Sequence, residues 1–170
     1  MRYVVAALIL ASSACASQSK SLVDTEASAL TAPATCTPRI ATALPEGWVR
    51  ARPAPSPDGT CPVVLTMREG SGILVVTELV TRNVSLYRYI VEDMHAFEKS
   101  GREITNVSVY DELGRYRLDT RDEFGLVSRA YVRTGITSLA YRVEGRWKFS
   151  DKEAGMRAIE SVVQSLPVTP

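Results

Sequence analysis

Arginine recurs at alternate positions in two neighbouring segments of the chain, 115–121 and 126–133. Alternate residues of a β-strand point to the same side, so each set would share one face of its strand. Arginine and tyrosine are enriched at binding hot spots, and the guanidinium fork suits carboxylates and phosphates. If a hairpin around 123–125 pairs the strands suitably, these side chains form one partner-binding surface. The residues of this predicted surface are Arg115, Arg117, Arg121, Arg129, Tyr131 and Arg133.

The alternative interpretation is an exposed sheet face whose arginines pair across strands with Asp119 and other acids. Carboxylates also cluster at 111–112 and 122–123, where oxygen ligands could hold calcium. No segment has the D-x-D-x-D-G spacing of a calcium loop, so solvated turn acids are the favoured interpretation. The sequence predicts no metal site.

Catalytic motifs are missing from the sequence. His95 is the only histidine, which excludes a site built from several histidines, and it falls in the middle of a predicted helix. The segment Gly70-Ser71-Gly72 is too short for a nucleophile elbow or a phosphate loop, and a strand rather than a helix follows it. We therefore expect no catalytic residues, no cofactor and no enzymatic activity. A hydrolase with unrecognised residues is the less favoured alternative.

Two helices are predicted from apolar periodicity. Leu86, Ile90 and Phe97 fall on one face of a helix over about 84–100, with Asn83 as its N-cap. The second helix would begin with a capping box, in which Ser150 and Glu153 each satisfy a backbone N–H at the other's position. Pro167 would end it.

Short β-rich runs separated by glycine-containing turns predict the strands. Their close, regular spacing favours an antiparallel meander. We therefore expect an α+β fold, a twisted antiparallel sheet of about six to seven strands flanked by two main helices in an αβα-type sandwich. The predicted strands are 63–67, 73–81, 105–111, 115–121, 126–133 and 137–144.

The amino terminus has the pattern of an export signal. Arg2 precedes the apolar run 4–11, and small residues follow it. Ser13-Ala14-Cys15 resembles the end of a bacterial lipobox, although Ser12 stands where leucine is usual, and Cys15 would become the lipidated first residue. Ordinary cleavage before Ser17 is the alternative, which would give a free periplasmic or secreted protein.

Either cleavage leaves Cys36 and Cys61 as the only cysteine pair in the folded part, as suits an oxidising compartment. A bond between them would close a loop of about 25 residues and stabilise the fold by about 3.5 kcal/mol. We expect a signal segment over 1–16, a flexible tether rich in serine, alanine and threonine over 17–43, and one domain over 44–170.

Charge argues against a nucleic-acid partner. The chain has 20 basic and 19 acidic residues, and loss of Arg2 with the signal leaves 19 of each. Proteins that bind polyanions carry an excess of basic residues. A neutral domain therefore favours a protein or a small molecule as partner.

The order of elements resembles the PsbP-like fold, which includes the extrinsic photosystem II subunit, a Ran-binding nuclear-transport factor and many bacterial envelope proteins. The resemblance covers about 44–167 and rests on LPEGW at its start, the strand pair, the helix, the meander and the closing segment YRVEGRWKFSDKEAGMRAIESVVQSLP. It implies a twisted sheet with helices on its faces and members that act mostly as binding or assembly modules. It implies no activity, because fold alone does not determine function.

These observations favour a non-enzymatic lipoprotein in the periplasm, anchored to the outer membrane through Cys15. Its domain would bind an envelope or secreted protein, for example as an immunity or inhibitor protein against a periplasmic toxin or effector. The alternative is a protein that binds a small ligand or a cell-wall fragment. A flat arginine and tyrosine face would favour the first, and a deep pocket with converging polar groups would favour the second.

Overall fold

Seven strands and two main helices make up the part of the chain that the computed structural model describes, residues 36–57, 59–82, 84–136 and 138–167. The helices are α1 (Leu86–Lys99) and α2 (Lys152–Ser165). The strands are β1 (Trp48–Arg50), β2 (Val63–Met67), β3 (Ile73–Val80), β4 (Glu103–Tyr110), β5 (Arg115–Asp122), β6 (Gly125–Arg133) and β7 (Leu139–Trp147).

All seven strands form one antiparallel sheet in the order β1-β2-β3-β7-β6-β5-β4. The four strands β4 to β7 follow one another as a meander, and β3 joins it by pairing along its length with β7. The predicted α+β class and antiparallel sheet are thus confirmed. The short strand β1 lies at one edge and was not predicted as a strand, and β4 forms the other edge.

The helices cover opposite faces of the sheet, as an αβα sandwich requires. Leu86 and Ile90 of α1 pack against one face, in a cluster that includes Tyr116 and Leu118 of β5. The apolar stripe of α2 packs against the other face in a larger cluster with residues of β2, β3, β6 and β7. The apolar periodicity of both helices therefore corresponds to two separate buried clusters. No helix within the described residues is long and apolar enough to cross a membrane.

The side chain of Trp147 packs tightly between α2 and the sheet. Its indole is buried and lies against Gly155 of α2 and Gly145 of β7. A Cβ atom on Gly155 would lie 2.3 Å from the indole Cδ2, and one on Gly145 would lie 2.2 Å from Cζ3. Both positions therefore need glycine because the ring occupies the space of a side chain.

Both predicted helix starts differ from the structure. The N-cap of α1 is Ser85, whose Oγ accepts a hydrogen bond from the backbone N–H of Tyr87 at 3.3 Å. Asn83, the predicted cap, lies outside the described residues.

The capping box at the start of α2 is a wrong prediction. A short 3-10 turn, Phe149–Asp151, precedes the helix and makes Asp151 the N-cap, without a side-chain bond to the helix. The carboxylate of Asp151 instead accepts bonds from the backbone N–H and the hydroxyl of Ser71, both at 3.1 Å. The Oγ of Ser150 lies 3.2 Å from the same carboxylate and makes no capping bond. The helix start is thus fixed by contact with the β2–β3 turn.

The predicted disulfide between Cys36 and Cys61 is present, with Cα atoms 5.7 Å apart. It joins the first described residues to the segment before β2. Ile40 lies in the core cluster, and the backbone N–H of Ala43 donates to Ser165 Oγ at 2.8 Å. Packing therefore includes residues 36–43, which the sequence analysis assigned to the tether. Cys15 and the lipobox lie outside the described residues.

Candidate functional site

The predicted arginine surface is not formed, because the β5–β6 register separates its two halves. Arg117 lies opposite Ala130, and Arg129 lies opposite Leu118. Directly opposed residues of an antiparallel pair share a face, so the arginines of β5 and those of β6 point to opposite faces. The prediction of one surface with five arginines and a tyrosine is wrong. Those of β5 lie on the α2 side of the sheet, and those of β6 lie on the α1 side.

Arg129 lies beneath α1 in an ion-pair network. Its guanidinium pairs with Asp93 of α1 and donates to Glu144 of β7 at 2.5 and 2.9 Å. The same guanidinium lies over the ring of Phe97, 4.8 Å from its centroid. Tyr131 donates its hydroxyl to Asp93 at 2.7 Å. Both predicted site residues are therefore engaged in holding α1 to the sheet.

Burial sets the protonation behaviour of this network. Burial raises the pKa of the Tyr131 phenol well above its ordinary value, and its bond to Asp93 adds to the effect. Burial alone would lower the pKa of Arg129, but the neighbouring carboxylates of Glu144 and Asp93 outweigh it, and the net shift is upward. The tyrosine stays neutral and the arginine stays charged throughout the neutral pH range.

The outer arginines of the predicted surface lie apart from this network. Arg121 is exposed and forms a two-bond ion pair with Glu103 across the β4–β5 pair, at 2.8 and 3.0 Å. Arg133 is exposed at the end of β6, where its backbone N–H donates to the carbonyl of Gly114 at 2.8 Å. Arg121 also lines a cavity beside the start of α2.

Arg115 and Arg117 lie in a groove of about 500 Å³ between α2 and the β4–β5 half of the sheet. Apolar residues that include Ala130 and Ile159 line the groove, together with polar side chains of β4. A concave, partly apolar site with a few converging polar groups is typical of small-ligand binding. The polar lining residues from β4 and α2 are Asn106, Ser108, Glu160 and Gln164.

The two arginines of the groove differ in their partners. Arg117 donates from Nε to Asp119 at 2.8 Å and to Ser128 at 3.1 Å, and its guanidinium lies 3.7 Å from a carboxylate oxygen of Glu160. Arg115 has a buried Nε for which the described residues offer no acceptor. Its cross-strand neighbours are Tyr110 and Val132, which carry no charge. Arg115 is therefore a cation of the groove without an ion pair among the described residues.

A second cavity of about 380 Å³ continues the groove toward the start of α2. It shares Asn106, Asp119 and Met156 with the first cavity, and the two adjoin at the contact between Arg117 and Met156. Trp147 lines this second part, and its indole Nε1 is a buried donor without an acceptor among the described residues. Each of the two cavities is thus lined by one residue with a buried donor of this kind.

The remaining sequence candidates lie elsewhere. His95 is exposed on α1, with Nδ1 3.6 Å from a carboxylate oxygen of Glu98. Gly70-Ser71-Gly72 forms the β2–β3 turn, where Gly70 has a φ of +116° and Ser71 contacts Asp151. Within the described ranges, no three histidine, cysteine, aspartate or glutamate side chains group closely enough to hold a metal ion.

Sequence reasoning missed the α2 side of the groove. Met156 and Glu160 are one helical turn apart and border the buried stripe of α2. A methionine and a carboxylate at i and i+4 beside an apolar stripe are the signal that could have placed them on a boundary face. That signal does not show which face of the sheet α2 covers.

Comparisons with known proteins add a likeness in fold. No protein-family model and no curated protein matches the chain. Among solved structures, it is similar to LpqN, described as involved in cell envelope biogenesis of Mycobacterium tuberculosis. The identity is 11%, the TM-score is 0.46, and the match covers 79% of this chain and 85% of LpqN. The resemblance to the PsbP-like fold stays a prediction.

Proposed function

We propose that this chain is a non-enzymatic lipoprotein of the cell envelope whose domain binds a small anionic ligand in the groove between α2 and the sheet. The observation that carries the proposal is Arg115, a charged side chain that lines this groove with its Nε buried and unpaired among the described residues. Arg115 also has no carboxylate within ion-pair distance among the described residues, so its guanidinium is suited to an anionic ligand in the groove.

The groove is better supported than a protein-binding surface. A protein partner, such as a periplasmic toxin bound by an immunity protein, was inferred from arginines that share one face. With Arg117 and Arg129 on opposite faces, that argument loses its basis. Arg129 is also held beneath α1 by Asp93 and Glu144, so it is not free to meet a partner.

The proposed location is the periplasm, with an outer-membrane anchor at Cys15. Its support is the sequence of the amino terminus, where a short apolar run is followed by a lipobox-like segment. The Cys36–Cys61 disulfide agrees with an oxidising compartment. Mass spectrometry of the protein from bacterial envelopes tests the anchor, since lipidation adds the mass of the acyl groups at Cys15.

Native mass spectrometry of the exported protein tests the ligand. We expect a bound anionic small molecule on the wild type that is lost in Arg115→Met. The matched control is Arg157→Met on the exposed side of α2, where the arginine side chain is 74% accessible and pairs with Glu153. The control should keep the ligand. A wild type without any bound small molecule, in every envelope preparation and with added anionic probes, would overturn the proposal.

A further inference from the structure

The edge strand β4 carries exposed apolar side chains. Val107, Val109 and Tyr110 are 40%, 43% and 55% exposed. β4 pairs with β5, and no other strand of the described part of the chain lies beside it. An edge strand presents a row of unpaired backbone N–H and C=O groups to any further strand. β4 therefore offers both backbone hydrogen bonds and apolar side chains to a partner.

The sequence of β4 lacks the features that usually protect an edge. Edge strands commonly carry charged residues or proline, which disfavour pairing with another chain. The segment 104–110 contains neither. A register shift between Ile104 and Asn106 interrupts the pairing with β5 at the start of the strand. The regular, uncharged part of β4 is thus 106–110, and Ser108 is its midpoint.

The two valines of this segment border the apolar cluster beneath α1. Val107 lies opposite Leu118, and Val109 lies opposite Tyr116. Both of these β5 residues are buried in that cluster. Opposed residues of an antiparallel pair share a face, so the valines lie on the α1 side of the sheet. A strand added beside β4 would extend the cluster by covering them.

We infer that this strand is β4 of a second copy of the chain, antiparallel to the first and with Ser108 opposite Ser108. A two-fold dimer needs a surface that complements itself. In this register Val107 of each copy lies opposite Val109 of the other, and Asn106 lies opposite Tyr110. The two-fold axis is perpendicular to the sheet, so all four valines lie on one face. They form a continuous apolar strip on the side that α1 covers.

Charge favours a second copy in this register. Glu103 and Asp111 flank the uncharged segment, and both are exposed. Like charges directly opposite each other destabilise a strand pair. With Ser108 at the centre, Asp111 lies opposite Thr105 of the second copy, and the acids do not meet. A pair centred on Val107 would instead place Asp111 opposite Glu103.

Sedimentation velocity of the full chain carrying Cys15→Ser tests the dimer. Five paired residues make a small interface, so the measurement covers about 1 µM to 1 mM protein, and we expect a monomer–dimer equilibrium. Val107→Lys places a charge on the edge and should raise the dissociation constant by about tenfold or more. The matched control is Val80→Lys, at a valine that is 60% exposed at the end of β3, and it should leave the equilibrium unchanged.

A mixture of two charged variants tests the register. Val107→Lys and Val109→Glu should each weaken self-association. Mixed together, they should form a heterodimer, because the new lysine of one copy lies opposite the new glutamate of the other. A mixture of Val107→Lys with Val80→Glu is the control and should stay monomeric.

Ser108→Cys gives a test that does not depend on charge. Opposed residues of an antiparallel pair have Cα atoms about 4.5–5.5 Å apart, which a disulfide can span. Mild oxidation should therefore link two copies through position 108. Asn106→Cys is the control. Each residue 106 lies opposite residue 110, so the two copies of position 106 are about 13 Å apart and should not link.

Three results would overturn the inference. The first is a wild type that stays monomeric up to about 1 mM. The second is a dimer that Val107→Lys leaves intact, and the third is cross-linking as fast at position 106 as at position 108. The inference goes beyond the proposed function and is independent of the ligand. A monomer that binds an anionic small molecule would contradict the dimer and leave the proposed function standing.

Discussion

The hydroxyl of Tyr131 donates to the carboxylate of Asp93 across 2.7 Å and thereby joins β6 to α1. Arg129, two residues earlier on β6, pairs with the other oxygen of the same carboxylate. The ring of Tyr131 also stacks on Tyr89 of α1, with centroids 5.7 Å apart. One carboxylate of α1 therefore holds two side chains of the sheet in a largely buried position.

Removal of that carboxylate should destabilise the fold. Asp93 and Arg129 have side chains only 13% and 15% exposed, so Asp93→Ala leaves a buried charge with fewer partners. We expect the free energy of unfolding in urea to fall by about 3 kcal/mol. Glu92→Ala is the control, because Glu92 pairs with Arg88 on the exposed side of α1 and should cost less than about 1 kcal/mol. Equal effects of the two substitutions would contradict the role given to Asp93.

Acid should weaken the fold partly through Glu144. Burial alone would raise the pKa of this carboxyl, but the charge of Arg129 and hydrogen bonds from Arg146 and Arg129 outweigh it, and the pKa lies below its ordinary value. A lowered folded-state pKa contributes stability above the unfolded value, near 4.5, and this is lost as the pH falls through the folded value. Glu144→Gln should therefore make the unfolding free energy depend less steeply on pH below about 5. A slope identical to that of the wild type would show that Glu144 does not contribute.

The strands and helices were predictable because their apolar periodicity and turn residues are local features of the sequence. The register of the β5–β6 pair was not predictable in this way. Asp122 pairs with Gly125, so the β5–β6 hairpin has a two-residue loop, and Arg117 meets an even-numbered partner, Ala130. A loop one residue longer or shorter would have brought the arginines of both strands to one face. No feature of the loop sequence fixes that length with certainty.

The groove was still less predictable, because it depends on where α2 crosses the sheet. The lack of an ion pair at Arg115 also depends on how the chain folds. Its neighbours on both adjacent strands are uncharged, whereas Arg121, on the same face of β5, lies opposite Glu103. Arg117 also has uncharged cross-strand neighbours, but it pairs with Asp119 on its own strand and with Glu160 of α2. Which arginine lacks a carboxylate therefore depends on contacts that only the folded chain displays.

Substitutions at the start of α2 should distinguish the contributions of Ser150 and Asp151 to stability. Ser150→Ala should leave the melting temperature unchanged, because Ser150 makes no capping bond. Asp151→Ala should lower it, because this carboxylate accepts two bonds from Ser71 and ties α2 to the β2–β3 turn. Thermal unfolding of both variants measures the difference. If only Ser150→Ala lowers the melting temperature, the capping box is present and the role given to Asp151 is wrong.

Gly155 of α2 should resist replacement by alanine even though alanine favours helices. In an exposed helix this change stabilises by about 1 kcal/mol. Here the new Cβ would lie 2.3 Å from the buried indole of Trp147, a rigid ring that cannot turn aside as a flexible chain end would. Overpacking of this kind costs about 1–3 kcal/mol, which the helix preference of alanine offsets by about 1 kcal/mol, so we expect a net loss of up to about 2 kcal/mol in urea unfolding. Ala154→Gly measures the helix contribution at the neighbouring position. If Gly155→Ala instead gains what Ala154→Gly loses, α2 has room to move away from Trp147, and the close contact is not a constraint on the fold.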